Sequence, residues 1–223
     1  MNLKVDKALK ISIEKFAENV QENGSELHAN LKTVFNSEQT YLDKVAEMDQ
    51  VIDEAPKFDA LREVIFDLLL INFFTEDVQK LEEDYLDSDE WEDIEEETID
   101  RGTELLNLLL YIKECEDENL EPELEDFLKE FLLVDEDEFQ DEHRIYEDVI
   151  ANQILVDSSI EEVARVSKSL PEFSELKELF YPMICFFREQ NPSAQEMDAY
   201  KNNSASPAFD TAVYSLLVSY NQS

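Results

Sequence analysis

The chain has 223 residues, 43% hydrophobic and 10% aromatic, with 56 acidic and 18 basic side chains and a formal net charge of −38. That apolar content excludes a disordered acidic tail, while the charge opposes direct binding of DNA or RNA and adsorption to anionic lipid. With only 2 Gly and 6 Pro the chain lacks hairpin chemistry, and an all-α fold is expected.

In chain order, Leu9, Ile13, Phe16 and Val20 recur at spacings of three and four and predict a helix over 6–20, stopped by Asn23 and Gly24. Ser25 is placed to cap a second helix reaching Asn36, and Ser37 a third that carries Leu42, Val45, Met48, Val51 and Ile52. Pro56 pushes Ala55 out of the helical region, so a boundary is expected there and a fourth helix over 57–74. From Val64 onward that helix is apolar around most of its circumference, the pattern of a buried central helix. A short helix, a break near 87–89 and one long helix over 90–114 should follow. Residues 115–122, CEDENLEP, read as an acidic connector.

The stretch 45–66 recurs without a gap at 160–181, with six identical pairs: Glu47/Glu162, Val51/Val166, Pro56/Pro171, Phe58/Phe173, Leu61/Leu176 and Glu63/Glu178. The same register sets Leu124, Leu128 and Phe131 opposite Leu9, Ile13 and Phe16, and His143 opposite His28. Two tandem helical repeats are therefore expected, 1–114 and 123–223, each of about five to six helices and packed as a pseudo-twofold bundle. Such a chain would be a monomer with internal pseudo-symmetry or a weak dimer. In the second repeat Pro122 should open a helix and Ser158 or Ser159 cap another, while Pro182 should kink the counterpart of the buried helix. Helices over 194–201 and 208–220 complete the expected elements.

The charge is concentrated. Residues 76–148 hold 32 acidic against 5 basic side chains, about −27 of the total. Apolar residues recur among them, so amphipathic helices with one acidic face are expected. Acids three to four apart on a helix stand about 5–6 Å from one another, close to the spacing of phosphates along a nucleic-acid strand. These features point first to a non-enzymatic acidic binding protein that docks on and neutralises a basic partner surface, of the inhibitor, immunity or nucleic-acid-mimic type. The residues expected to bind are Glu82, Glu83, Asp84, Asp87, Asp89, Glu90, Glu92, Asp93, Glu95, Glu96 and Glu97, with Tyr85 and Trp91 as aromatic anchors. An alternative is a helical scaffold or adaptor subunit that assembles through apolar helices over 105–112 and 208–220.

Catalytic patterns are few. Glu92 and Glu95 followed by Glu114 and Asp117 form E-x-x-E and E-x-x-D. That spacing resembles the magnesium-binding carboxylates of the all-α nucleoside triphosphate pyrophosphatases of the MazG type, which would imply Mg²⁺-dependent nucleotide turnover. His28 and His143 could form a symmetric metal or proton-transfer pair, against the plainer role of partly exposed helix residues. With 2 His and 2 Cys there is no Glu-x-x-His pair and no zinc-spaced cluster, and Gly24 and Gly102 alone cannot make a phosphate loop. No cofactor is expected. The first twenty residues lack a continuous apolar core, the apolar runs at 64–74 and 105–112 are too short to span a bilayer, and Cys115 and Cys185 read as ordinary thiols. A cytoplasmic, soluble protein with no membrane contact is expected.

Overall fold

The computed structural model describes residues 1–131 and 144–222, and all regular structure among them is helical. No described helix is long and apolar enough to cross a membrane. His143 lies outside the described residues, as does the side chain of Phe131, and with them these two expected matches to His28 and Phe16.

Asn2 starts α1 (Leu3–Val20) by accepting the Lys4 N–H at 2.9 Å, and the helix ends at Gln21, which takes the left-handed conformation at φ 57. The stop thus falls just before the expected Asn23 and Gly24. Gly24, not Ser25, is the N-cap of α2 (Ser25–Phe35). A Cβ at Gly24 would lie 2.3 Å from Ile13 Cγ2, so glycine is what lets α2 begin against the side of α1. Thr40, not Ser37, caps α3 (Tyr41–Asp53), accepting the Asp43 N–H, while Ser37 bonds Gln39 instead. Ala55 leaves the helical region as expected before proline. Residues Pro56–Leu61 then form a 3-10 turn, so α4 (Arg62–Glu76) starts later than its apolar pattern suggested. Ten of its fifteen residues are buried, which makes it the central helix.

After a 3-10 turn at Val78–Leu81 come α5 (Glu83–Leu86) and α6 (Asp89–Thr98). The single helix expected over 90–114 is in fact two, because Gly102 adopts φ 82 and the chain bends before α7 (Leu105–Glu118). In turn, α7 extends through residues expected in the connector. Cys115 is buried in its last turns, and the link to α8 (Leu124–Phe131) is 119–123. The apolar side of Cys115 outweighs the charge run that surrounds it.

Beyond the undescribed stretch lie α9 (Glu147–Ala151), a 3-10 turn at Gln153–Asp157, α10 (Ile160–Ser169), α11 (Phe180–Arg188), α12 (Ala194–Asn203) and α13 (Pro207–Gln222). Ser159 caps α10 through the Glu162 N–H, and Ser193 with Glu196 forms a capping box on α12. Residues 171–179 are turns, and α11 begins only at Phe180. Pro182 therefore sits in the first helical turn, where its missing N–H has no partner to lose, and it does not interrupt a helix.

Sequence ends meet in space. Helix α1 packs lengthwise on α13, with Lys4 Nζ 5.9 Å from the Tyr220 ring, so the two run antiparallel. Small residues are buried on both, Ala8 and Ser12 on one and Ala212 and Ser215 on the other, which permits close approach. Helix α7 touches both α4 and α13, and one continuous apolar core joins residues on either side of the 119–123 link.

Candidate partner-binding surface

The acidic helix is built from an inner apolar edge. The Ser88 hydroxyl accepts the Trp91 N–H at 3.2 Å and opens α6, and Asp89, Glu90 and Glu92 in its first turn complement the helix dipole. Ile94 is buried, and the Trp91 ring packs 5.4 Å from Phe74 on α4 and 6.2 Å from Tyr85. Tyr85 in turn lies 6.2 Å from Phe73, over whose face Lys80 Nζ sits at 3.5 Å. The two aromatic residues expected as anchors are thus partly buried and hold α5 and α6 onto the central helix.

Every carboxylate expected at this surface points away from that edge. Glu82, Glu83, Asp84, Asp87, Asp89, Glu90, Glu92, Asp93, Glu95, Glu96 and Glu97 are all exposed. None of them makes an ion pair or a side-chain hydrogen bond among the described residues. Nine of these eleven lie on the two consecutive short helices α5 and α6, and Glu82 and Asp87 flank α5. Glu95, Glu96 and Glu97 also lie in the second half of α6, where the helix dipole disfavours negative charge. The surface stores repulsion that no ion pair among the described residues relieves.

Immediately after α6 the opposite situation holds. Arg101 donates through both terminal nitrogens to Asp49 at 2.9 and 3.1 Å and through Nε to Glu63 at 3.1 Å, and its guanidinium stacks 4.9 Å from the Phe66 ring. Arg62 reaches Asp49, Asp53 and Asp59 at 2.6–2.8 Å. The Gly102 N–H donates to Glu63 at 2.7 Å, and Thr103 donates to Asp67 from its N–H at 3.0 Å and its hydroxyl at 2.6 Å. This clasp ties the α6–α7 connector to α3 and α4. A side chain at Gly102 would meet Asp67 Oδ1 at 2.7 Å, in a backbone conformation that already favours glycine.

The clasp contains two carboxyls displaced in opposite directions. Burial works to raise Asp49, but the hydrogen bonds from Arg101 and Arg62 outweigh it and hold the group below its ordinary value. Asp67, 1% exposed, is pushed up to about 8, first by burial and then by the charges of Glu63 and Glu104, against the opposing Thr103 hydrogen bonds. It is therefore mainly protonated at neutral pH. The sequence held one overlooked sign of this cluster: Asp67 interrupts an apolar run, and Arg101 stands nearly alone among acids.

The remaining candidates are dispersed. Glu92 and Glu95 lie on α6 and Glu114 and Asp117 on α7, with Asp117 paired to Lys113 at 2.7 Å. Among the described residues no group of three or more carboxylate, imidazole or thiol side chains could hold a metal ion. The His28 Nε2 stands 3.1 Å from Asp6, whose other oxygen takes Lys32, a local link between α1 and α2. Both cysteines are free and buried. Leu105, Leu108, Leu109 and Ile112, and likewise Val213, Leu216, Leu217 and Tyr220, are turned into the chain's own core. The apolar faces that a scaffold would use are thus largely occupied internally.

Several apolar residues are instead exposed, among them Leu3, Ile99, Ile154 and Phe173. Phe58 is buried against Phe16 at 5.6 Å, whereas Phe173, its match in the repeated stretch, is 87% exposed. Compared with known proteins, the chain matches no family model, no curated protein and no solved structure.

Proposed function

We propose that this is a non-enzymatic acidic binding protein that docks on a basic protein surface and neutralises it. The observation that carries this is the set of eleven exposed carboxylates from Glu82 to Glu97, none of which has an ion-pair partner among the described residues. Arg62 and Arg101 are spent on internal structure, and with 56 acidic against 18 basic side chains the chain has few cations to spare for this surface. A partner that supplies lysines or arginines would relieve the stored repulsion, and the gain would be electrostatic and salt-sensitive. The helical spacing of the acids suits a groove made for a phosphate backbone, which favours a nucleic-acid-binding partner.

Internal duplication accompanies this proposal. Both copies of the repeated stretch pass from a helix through a proline-led turn into a largely buried helix, and both buried helices, α4 and α11, pack on a late apolar helix, α7 and α13 respectively. A pseudo-twofold ancestor accounts for that correspondence, with the acidic α5–α6 insertion developed in one copy.

The test is capture of partners from native lysate at low and high salt, with a variant in which every Asp and Glu from Asp87 to Glu97 is changed to Asn or Gln. A basic protein held at low salt, released at high salt and lost in the variant is the expected result. A partner retained by both forms at high salt would overturn the electrostatic mode.

A further inference from the structure

Phe173 is exposed but not loose. The turn that carries it is closed by the Ser174 N–H on Pro171 O at 3.1 Å, by the Ser174 hydroxyl on Asp148, and by Lys177 Nζ on Leu170 O at 2.5 Å. The exposed ring lines a cavity of about 780 Å³ whose other apolar lining is Ile145, Leu179 and Phe209. Gly102 and Thr103 form part of the same wall, so the cavity opens directly beside the connector that leaves α6. Ile99, at the start of that connector, is 82% exposed. The rim carries Glu104, Glu172, Glu175 and Glu178, while Lys177, the one cation of the lining among the described residues, is engaged by Leu170 and Glu172.

We propose that this cavity receives an apolar side chain from a lysine- or arginine-rich segment of the protein partner, with Phe173 as the anchor against which it packs. The inference rests on the acidic-surface function proposed above and deepens it, because it adds an apolar centre to a charged rim. Charge complementarity selects the occupant. The rim is anionic, and a second copy of a chain with net charge −38 would be repelled from it. The hydrogen-bonded turn fixes the backbone that presents Phe173, which suits an anchor.

The experiment measures binding of two defined probes by calorimetry at low salt: a poly-lysine peptide, and the same peptide with one central leucine. Burial of that leucine against Phe173 should make the second peptide bind wild type about tenfold more tightly than the first. Phe173→Ala should abolish this increment and leave the poly-lysine affinity unchanged, and an unaltered circular dichroism spectrum is expected because the ring is exposed. The variant neutralised from Asp87 to Glu97 should weaken both peptides equally. An increment that survives in Phe173→Ala overturns the proposal. Self-association of the protein that Phe173→Ala abolishes, with no leucine increment, assigns the cavity to a second copy instead. If neither peptide binds wild type, the acidic-surface function itself fails, and this inference with it.

Discussion

Asp49 and Glu63 close on Arg101 within 3.1 Å, whereas the carboxylates that end at Glu97, four residues before that arginine, have no cation within ion-pair distance among the described residues. The two regions are neighbours in the chain and draw on the same residue types. They differ in what faces them. The clasp carboxyls look across α3 and α4 toward two arginines and the backbone of the connector, so their charge stabilises a bend. In the clasp the paired acids hold a connector, and on α5 and α6 the acids face solvent.

Breaking the clasp should have the largest effect on stability. Arg101→Ala removes both carboxylate contacts and leaves Asp49 and Glu63 partly desolvated, with a cost of about 2 kcal/mol. That lies below the range for fully buried pairs because all three side chains are partly exposed. Urea denaturation measures it, and an unchanged midpoint would mean that the clasp contributes no net stability.

The pH dependence comes next. Asp67 in the folded chain titrates near 8, well above its ordinary 3.8, so the native state binds the extra proton. Its contribution is fully present below about 4 and is lost as pH rises toward 8, with a slope of at most about 1.4 kcal/mol per pH unit. Asp49, held low, acts in the opposite sense: its contribution is present above the ordinary carboxylate range and is lost as pH falls through its depressed value. Asp67→Asn, which keeps the shape of the neutral acid, should flatten the decline between pH 5 and 8 and leave the acid limb unchanged. A slope identical to wild type would show that Asp67 is ionised in the folded chain.

The smallest effect sharpens the comparison from the other side. Glu92, Glu95 and Glu96 are spaced i, i+3 and i+4 on α6, where like charges oppose the helix by a few tenths of a kcal/mol per pair. The triple Gln variant should therefore be more stable than wild type by about 0.5 kcal/mol at low salt, and the gain should shrink as salt is added. A loss of stability would mean that these carboxylates do structural work after all, and would weaken the case for a binding surface.

Much of this was open to a reader of the residues alone. The acids at 82–97 could be assigned to an exposed face because Trp91 and Ile94 recur among them at helical spacing. The burial of α4 followed from its apolar circumference, and the boundary at Ala55 from Pro56. The caps were harder. Ser25 and Ser37 are chemically suited to capping, yet Gly24 and Thr40 hold the positions, because steric room against Ile13 and the actual start of α3 decide which residue lies there. The long helix over 90–114 misled for a similar reason, since one glycine in a helical pattern signals either a tolerated residue or a turn.

Local chemistry thus determined the all-helical fold, the central helix and the placement of bare charge, since each depends on residues within a few turns of one another. Tertiary structure alone decided that Arg101 meets Asp49, 52 residues away, and that the last helix lies along the first. It also decided that Phe58 is covered while its sequence match Phe173 is not. A side chain's periodicity says which way it faces on its own helix, but what stands opposite it depends on how distant segments pack.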